Sequence, residues 1–237
     1  MYQLVVGFEC EWLRQGWTTT HHTRVDLPME DDWQYGVGTM EEWVVRKKNS
    51  TAHIFFWLQY RPYEDMSEMA EIVHASDILM LNFGAHWLPS TRKEYTTDMT
   101  RLWKFLKPFA NTTFFIWREK FAQHRDSDGG EWDQDSRSDH CVPVVYEAVQ
   151  HQWREKRIRK LLQEVQLPIY FLNETPRAHR AAEVFWLPIQ DLSETWLDMH
   201  PLGQNGTKCQ VTHYCQTPYL WGEVWRLLAV FTESLYN

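Results

Sequence analysis

Asp77-Ile78-Leu79-Met80-Leu81-Asn82-Phe83-Gly84-Ala85-His86-Trp87 is an apolar run that breaks at an asparagine and a glycine. Apolar side chains occupy consecutive positions in residues 78–81 instead of alternating with polar ones. A strand of that kind buries both of its faces, which is the condition of a parallel sheet covered by helices. Comparable runs stand at residues 4–6, 54–60, 113–117 and 168–172. Helical patterns fill the intervals near 65–74, 91–106 and 146–165, and a last helix is expected over about 219–235. In that last helix Leu220, Val224, Leu227, Leu228 and Phe231 recur at helical spacing. Strands alternating with helices predict an α/β fold whose sheet is mostly parallel and five-stranded, in a single domain spanning 1–237. Ligands of such sheets bind at the carboxyl ends of the strands.

The bulk composition narrows the function classes. A hydrophobic content of 43% suffices for a core, and 14 tryptophans serve either that core or the stacking wall of a sugar-binding groove. The net charge of −8 argues against a general nucleic-acid binder. The basic run Arg154, Lys156, Arg157, Arg159 and Lys160 reads as the solvated face of a helix. No apolar run approaches the roughly 18 residues of a membrane span. Met1 leads straight into the strand-like Tyr2-Gln3-Leu4-Val5-Val6, so an N-terminal signal or anchor segment is expected to be missing from this chain. Glycosylation sequons begin at Asn49, Asn111, Asn173 and Asn205, each at an expected turn or element edge, and they point to the secretory pathway. Cys10, Cys141, Cys209 and Cys215 are compatible with one or two disulfides. Cys209, His213 and Cys215 do not have a usual zinc spacing, so neither a metal nor a cofactor is expected.

Unusual residues collect where the strands end. After the run at 77–83, Gly84 lets the backbone approach a ligand, and the Asn82 amide is a candidate donor to an oxyanion. A plain turn with Trp87 capping the core is the alternative. After the run at 113–117 come Arg118, Glu119, Gln123 and His124. Arg118 and His124 suit an anion or a sugar, while Arg118 with Glu119 equally suits a surface ion pair of little energetic weight. Residues 125–140 are polar and contain glycines, a long loop of the kind that often carries function.

These segments, in this order, resemble the PC-esterase branch of the SGNH (GDSL) hydrolases, which includes trichome birefringence-like polysaccharide O-acetyltransferases. The resemblance rests on Asn82-Phe83-Gly84-Ala85-His86-Trp87, Phe114-Phe115-Ile116-Trp117-Arg118, Gln123-His124-Arg125 and Gly130-Glu131-Trp132 with Cys141. It continues through Asp198-Met199-His200-Pro201 and Gln210-Val211-Thr212-His213-Tyr214-Cys215 to a helix containing Trp225. In all it covers roughly residues 52–232. It implies a three-layer sandwich and O-acyl ester chemistry on a polysaccharide or glycan, with a possible acetyl donor as second substrate. His213 is then the general base. Gly7, Asn82 and Gly84 form the oxyanion side, and His86, Trp87, Arg118 and His124 line the substrate site.

Two positions depart from the family pattern. The turn Gly7-Phe8-Glu9-Cys10-Glu11 lacks the family's serine, and Gln210 stands where the acid partner of the histidine is expected. A hydroxyl nucleophile needs a base, and the base needs an orienting acid. An active enzyme would therefore use Cys10 as nucleophile, His213 as base and Asp198 as acid. A thiol tolerates a weak acid partner because its ordinary pKa is already near 8.5. The competing expectation is a degenerate relative that keeps the fold and binds glycans, or serves a structural role, without catalysis. A third is that the sequence is incomplete or altered near the nucleophile.

Overall fold

The computed structural model describes residues 16, 18–26, 37–47, 50–59, 66–83, 87, 89–120, 153–172, 182–193, 222, 224 and 226–228. By its contacts the chain divides into one unit of Met1–Pro62 with Gln216–Arg226 and a second of Tyr63–Cys215 with Leu227–Asn237.

The first unit contains an antiparallel sheet of β1 (Thr18–Asp26), β2 (Val37–Lys47) and β3 (Ser50–Gln59), in that order. Lys47 pairs with Ser50, so only two residues connect β2 to β3. From there the register runs through Val45 opposite Ala52 and Trp43 opposite Ile54. Register shifts fall between Thr19 and His21 and between Val37 and Met40. Most of the aromatic run expected at 54–60 thus lies in an antiparallel hairpin and not among parallel strands. The physical reason is proximity along the chain. Closing a two-residue connection costs little entropy, whereas a parallel partner needs a crossover of a dozen or more residues.

The second unit runs α1 (Ser67–His74), β4 (Ile78–Leu81), α2 (Arg92–Leu106), β5 (Phe114–Arg118), α3 (Trp153–Glu164), β6 (Ile169–Phe171), β7 (Val184–Leu187) and α4 (Gln190–Ser193). Its sheet has four strands in the order β4-β5-β7-β6, and every neighbouring pair is parallel. Ile78 lies opposite Phe114, Phe115 opposite Val184, and Ile169 also opposite Val184. The fold is therefore α/β, with an all-parallel sheet and flanking helices. β7 is missing from the sequence expectation, yet it sits between β5 and β6 with all four residues buried.

Alternation sorts the strand side chains by face. Phe115, Trp117, Val184 and Trp186 join Leu81 in the main core, and the other face buries Ile116, Phe185 and Leu187. Helix α2 contributes Tyr95, Met99, Leu102, Trp103 and Leu106, the stripe that a 3.6-residue period places on one side. Helix α3 contributes Ile158, Leu161 and Leu162, and α1 adds Met69 and Val73. Trp87, Trp103, Trp117 and Trp186 are all fully buried, so for these four the core reading holds.

Helix α3 closes in a two-bond C-terminal cap. The Leu167 N–H donates to the Leu162 carbonyl at 2.9 Å, and the Gln166 N–H to the Gln163 carbonyl at 3.0 Å. Gln166 holds the left-handed conformation at φ 61°, where glycine is the usual residue. A side chain there is strained, although glycine gives back part of the gain through its freer unfolded state. Gln166→Gly should therefore stabilise the chain by about 0.5 kcal/mol, a rise of roughly 1–2 °C in thermal midpoint. A lower midpoint in a thermal melt would contradict this account.

Candidate functional site

The carboxyl ends of β4, β5 and β7 bring polar residues together on a sheet that is otherwise apolar. Asn82 follows β4, and its Nδ2 donates to the Arg118 carbonyl at 2.7 Å. Arg118 ends β5, and its Nη1 donates to the Glu119 carbonyl at 3.2 Å. Burial pulls the Arg118 pKa down to about 10 while Glu155 raises it, so the guanidinium stays charged at neutral pH.

Glu119 stands two residues beyond Trp117. Strand alternation places both on the α3 side, and the next peptide continues the ladder as the Glu119 N–H donates to the Leu187 carbonyl at 3.1 Å. The Glu119 side chain is only 4% exposed. Its Oε1 accepts from the Trp186 indole at 2.6 Å and from Arg159 Nη2 at 3.0 Å. Its Oε2 accepts from the Gln190 backbone at 3.1 Å, at the start of α4.

A second carboxylate lies beside it. Glu155, in the first turn of α3, accepts from the Trp117 indole at 2.9 Å and from the Lys120 backbone at 3.3 Å. Glu155 and Arg159 are four residues apart on one helical face, so a single element supplies both the second anion and the balancing cation. Arg159 is held by stacking as well as by charge. Its guanidinium lies 4.8 Å from the Trp186 ring centre and 5.6 Å from that of Phe171.

Opposed forces set the acidity of the pair. Burial, and then the neighbouring Glu155, push the Glu119 pKa up to about 7, against the Trp186 and Gln190 hydrogen bonds and the Arg159 charge. Burial also raises the Glu155 pKa. The Trp117 and Lys120 hydrogen bonds and the charges of Lys120 and Arg159 oppose it.

Two sequence expectations are corrected here. Arg118 and Glu119 do not form a surface ion pair: Glu119 is buried, and its cation is Arg159 from α3. The basic run is not a uniformly solvated face either. Lys156 and Lys160 are exposed, but Arg154 is 4% exposed and donates from Nη2 to the Trp87 carbonyl. Charged groups turn inward on α3 because its first turns face a sheet edge that carries carbonyls and a carboxylate.

Of the residues singled out from the sequence, the described chain contains Asn82, Trp87 and Arg118. Asn82 and Arg118 meet directly through their hydrogen bond. Trp87 is 2% exposed and meets Tyr95 edge-on at 5.5 Å, a core-capping placement. Gly7, Cys10, Gly84, His86, His124, Trp132, Asp198 and His213 lie outside the described residues, as do Cys141, Cys209 and Cys215. The sequence reading missed Glu155, Trp117 and Trp186 as members of a polar cluster. The available signals were the Trp117-x-Glu119 spacing after a strand and the Glu155-x-x-x-Arg159 spacing on a helix.

No family model and no curated protein matches this chain.

Among the described residues, no group of three or more histidine, cysteine, aspartate or glutamate side chains is placed to hold a metal ion. No described helix is long and apolar enough to cross a membrane. The clustered carboxylates accept hydrogen bonds from two indoles, two backbone amides and a guanidinium. The arrangement ties α3 to the ends of β5 and β7.

Proposed function

We propose that this chain is a carbohydrate O-acyl (acetyl) ester transferase or esterase of the secretory pathway, built as an SGNH-like three-layer sandwich. His213 is the general base, Cys10 the nucleophile and Asp198 the acid, with Gly7, Asn82 and Gly84 on the oxyanion side. His86, Arg118 and His124 belong to the glycan site, while Trp87, expected there from the sequence, is buried in the core.

The observation that carries the reading is the hydrogen bond from Asn82 to the Arg118 carbonyl, across the carboxyl ends of two adjacent parallel strands. An amide used as an oxyanion donor must be fixed before the charge develops. One N–H of the Asn82 amide is anchored in this way, which orients the group for the second to act. The parallel sheet supports the reading at the level of fold class. Asn111 is exposed, as a glycosylated asparagine must be.

The serine-free Gly7 turn and Gln210 favour a second reading, a degenerate relative that binds glycans without turnover. Hydrolysis of an acetylated oligosaccharide by the wild type, Cys10→Ala and His213→Ala separates the two. The expected result is turnover by the wild type and its loss in both variants. Loss in His213→Ala alone would remove Cys10 from its assigned role. Binding of the oligosaccharide with no turnover by the wild type would sink the catalytic reading in favour of the second.

A further inference from the structure

Glu119 and Glu155 are not used by the proposed chemistry, and their placement has a consequence of its own. Together with Arg159 they connect three elements: the end of β5, the first turns of α3 and, through the Gln190 backbone, the start of α4. We propose that α3 is held to the carboxyl edge of β5 and β7 by a proton-dependent clasp, tight at mildly acidic pH and loosened as the pH rises past neutrality.

Burial gives the direction: the Glu119 side chain is only 4% exposed and Glu155 is buried beside it, and removal from water disfavours an ionised carboxylate. Among the described residues, Arg159 and Glu155 of α3 act on Glu119, and β7 and α4 bring neutral donors to it, the Trp186 indole and the Gln190 amide. Glu155 is influenced in addition by Lys120 and Arg118 at the end of β5. With both carboxylates ionised, two like charges share a buried site, and the cation bonded to Glu119 has a side chain 45% exposed to solvent. One bound proton relieves that repulsion.

When α3 lifts away, both carboxyls return to water and to their ordinary acidity near 4.5. The closed form holds a proton on Glu119 up to a pH of about 7. The closed form is therefore favoured most below about 4.5, and that advantage is lost as the pH rises through about 7.

Hydrogen exchange of backbone amides between pH 5 and pH 8, expressed as protection relative to unstructured peptides, tests this. Helix α2 belongs to the same core and serves as the internal reference. Protection of α3 amides should fall about tenfold or more across the range relative to those of α2, since each unit of pKa shift is a factor of ten in the linked equilibrium. Glu119→Gln should flatten the dependence, and Glu155→Gln should shift it to lower pH, since the Glu155 charge is one of the causes that raise the Glu119 pKa. Equal behaviour of α2 and α3 in the wild type would overturn the proposal without any variant. So would an undiminished slope in Glu119→Gln. Neither outcome bears on whether the chain hydrolyses acyl esters.

Discussion

Trp186→Ala should destabilise the chain by about 5 kcal/mol, at the upper end of the range for removing a buried aromatic ring. Natural domains hold only about 5–15 kcal/mol in total, so this variant should be largely unfolded or close to it at 37 °C. Trp186 has no exposed surface and lies in the central strand β7. Its removal opens a cavity between the sheet and α3. It also takes a donor from the Glu119 carboxylate and a stacking surface from Arg159. Trp186→Phe separates these contributions. It keeps most of the apolar contact and loses the N–H, at a cost of about 2 kcal/mol for a charged acceptor left short of a donor.

Trp103 is the natural comparison. It is just as buried, but its indole nitrogen has no hydrogen-bond partner among the described residues. Trp103→Phe should therefore cost less than Trp186→Phe. Denaturant unfolding of the three variants measures the differences. Equal costs for the two phenylalanine variants would show that the bond to Glu119 contributes nothing.

Arg159→Ala has the next largest expected effect, and it depends on pH. Removing one partner of a buried ion pair costs about 3–5 kcal/mol. The Arg159 side chain is 45% exposed, so water screens part of the interaction and about 2 kcal/mol is expected at pH 8. At pH 5 Glu119 is mostly protonated in the folded chain, so its charge pairing is already gone and the loss is reduced to the stacking on Trp186 and Phe171 and the weaker pull of Arg159 on Glu155. The cost there should fall below about 1 kcal/mol.

The sign follows from linkage. Loss of Arg159 raises the folded pKa of Glu119 further above its unfolded value, so the variant loses more stability than the wild type as the pH rises. Thermal melts at pH 5 and pH 8 provide the check. A gap between variant and wild type that narrows toward pH 8 would refute the assignment of Arg159 as the balancing cation.

The sequence made the second unit more readable than the first. Helix α2 and β4 declare themselves through a stripe at helical spacing and an unbroken apolar run, and both lie within a residue or two of the expected places. Strand β7 is just as apolar, but Val184-Phe185-Trp186-Leu187 is only four residues long and ends at a proline. So short a run does not distinguish a strand from a turn of buried helix.

Strand β1, Thr-Thr-Thr-His-His-Thr-Arg-Val-Asp, carries one aliphatic side chain in nine residues. Its pairing with β2 supplies backbone hydrogen bonds that no hydrophobic pattern announces. The carboxylate cluster was hidden for a different reason. Glu119 and Arg159 lie forty residues apart, and a charged residue in sequence reads as solvent-facing until a partner from another element is known. Asn82 and Arg118 were visible as residues at strand ends, but their contact required the register of β4 on β5.

The row of indoles running from α2 onto the sheet gives the protein an optical signature. Trp103 lies 6.0 Å from Trp117, and Trp117 lies 6.4 Å from Trp186. At such separations neighbouring rings exchange excitation energy faster than they emit. Their tilted ring planes couple the transitions into a fixed chiral array. These three rings therefore contribute to the near-ultraviolet circular dichroism of the folded chain as one coupled group, and light absorbed by Trp103 can leave as emission from Trp186.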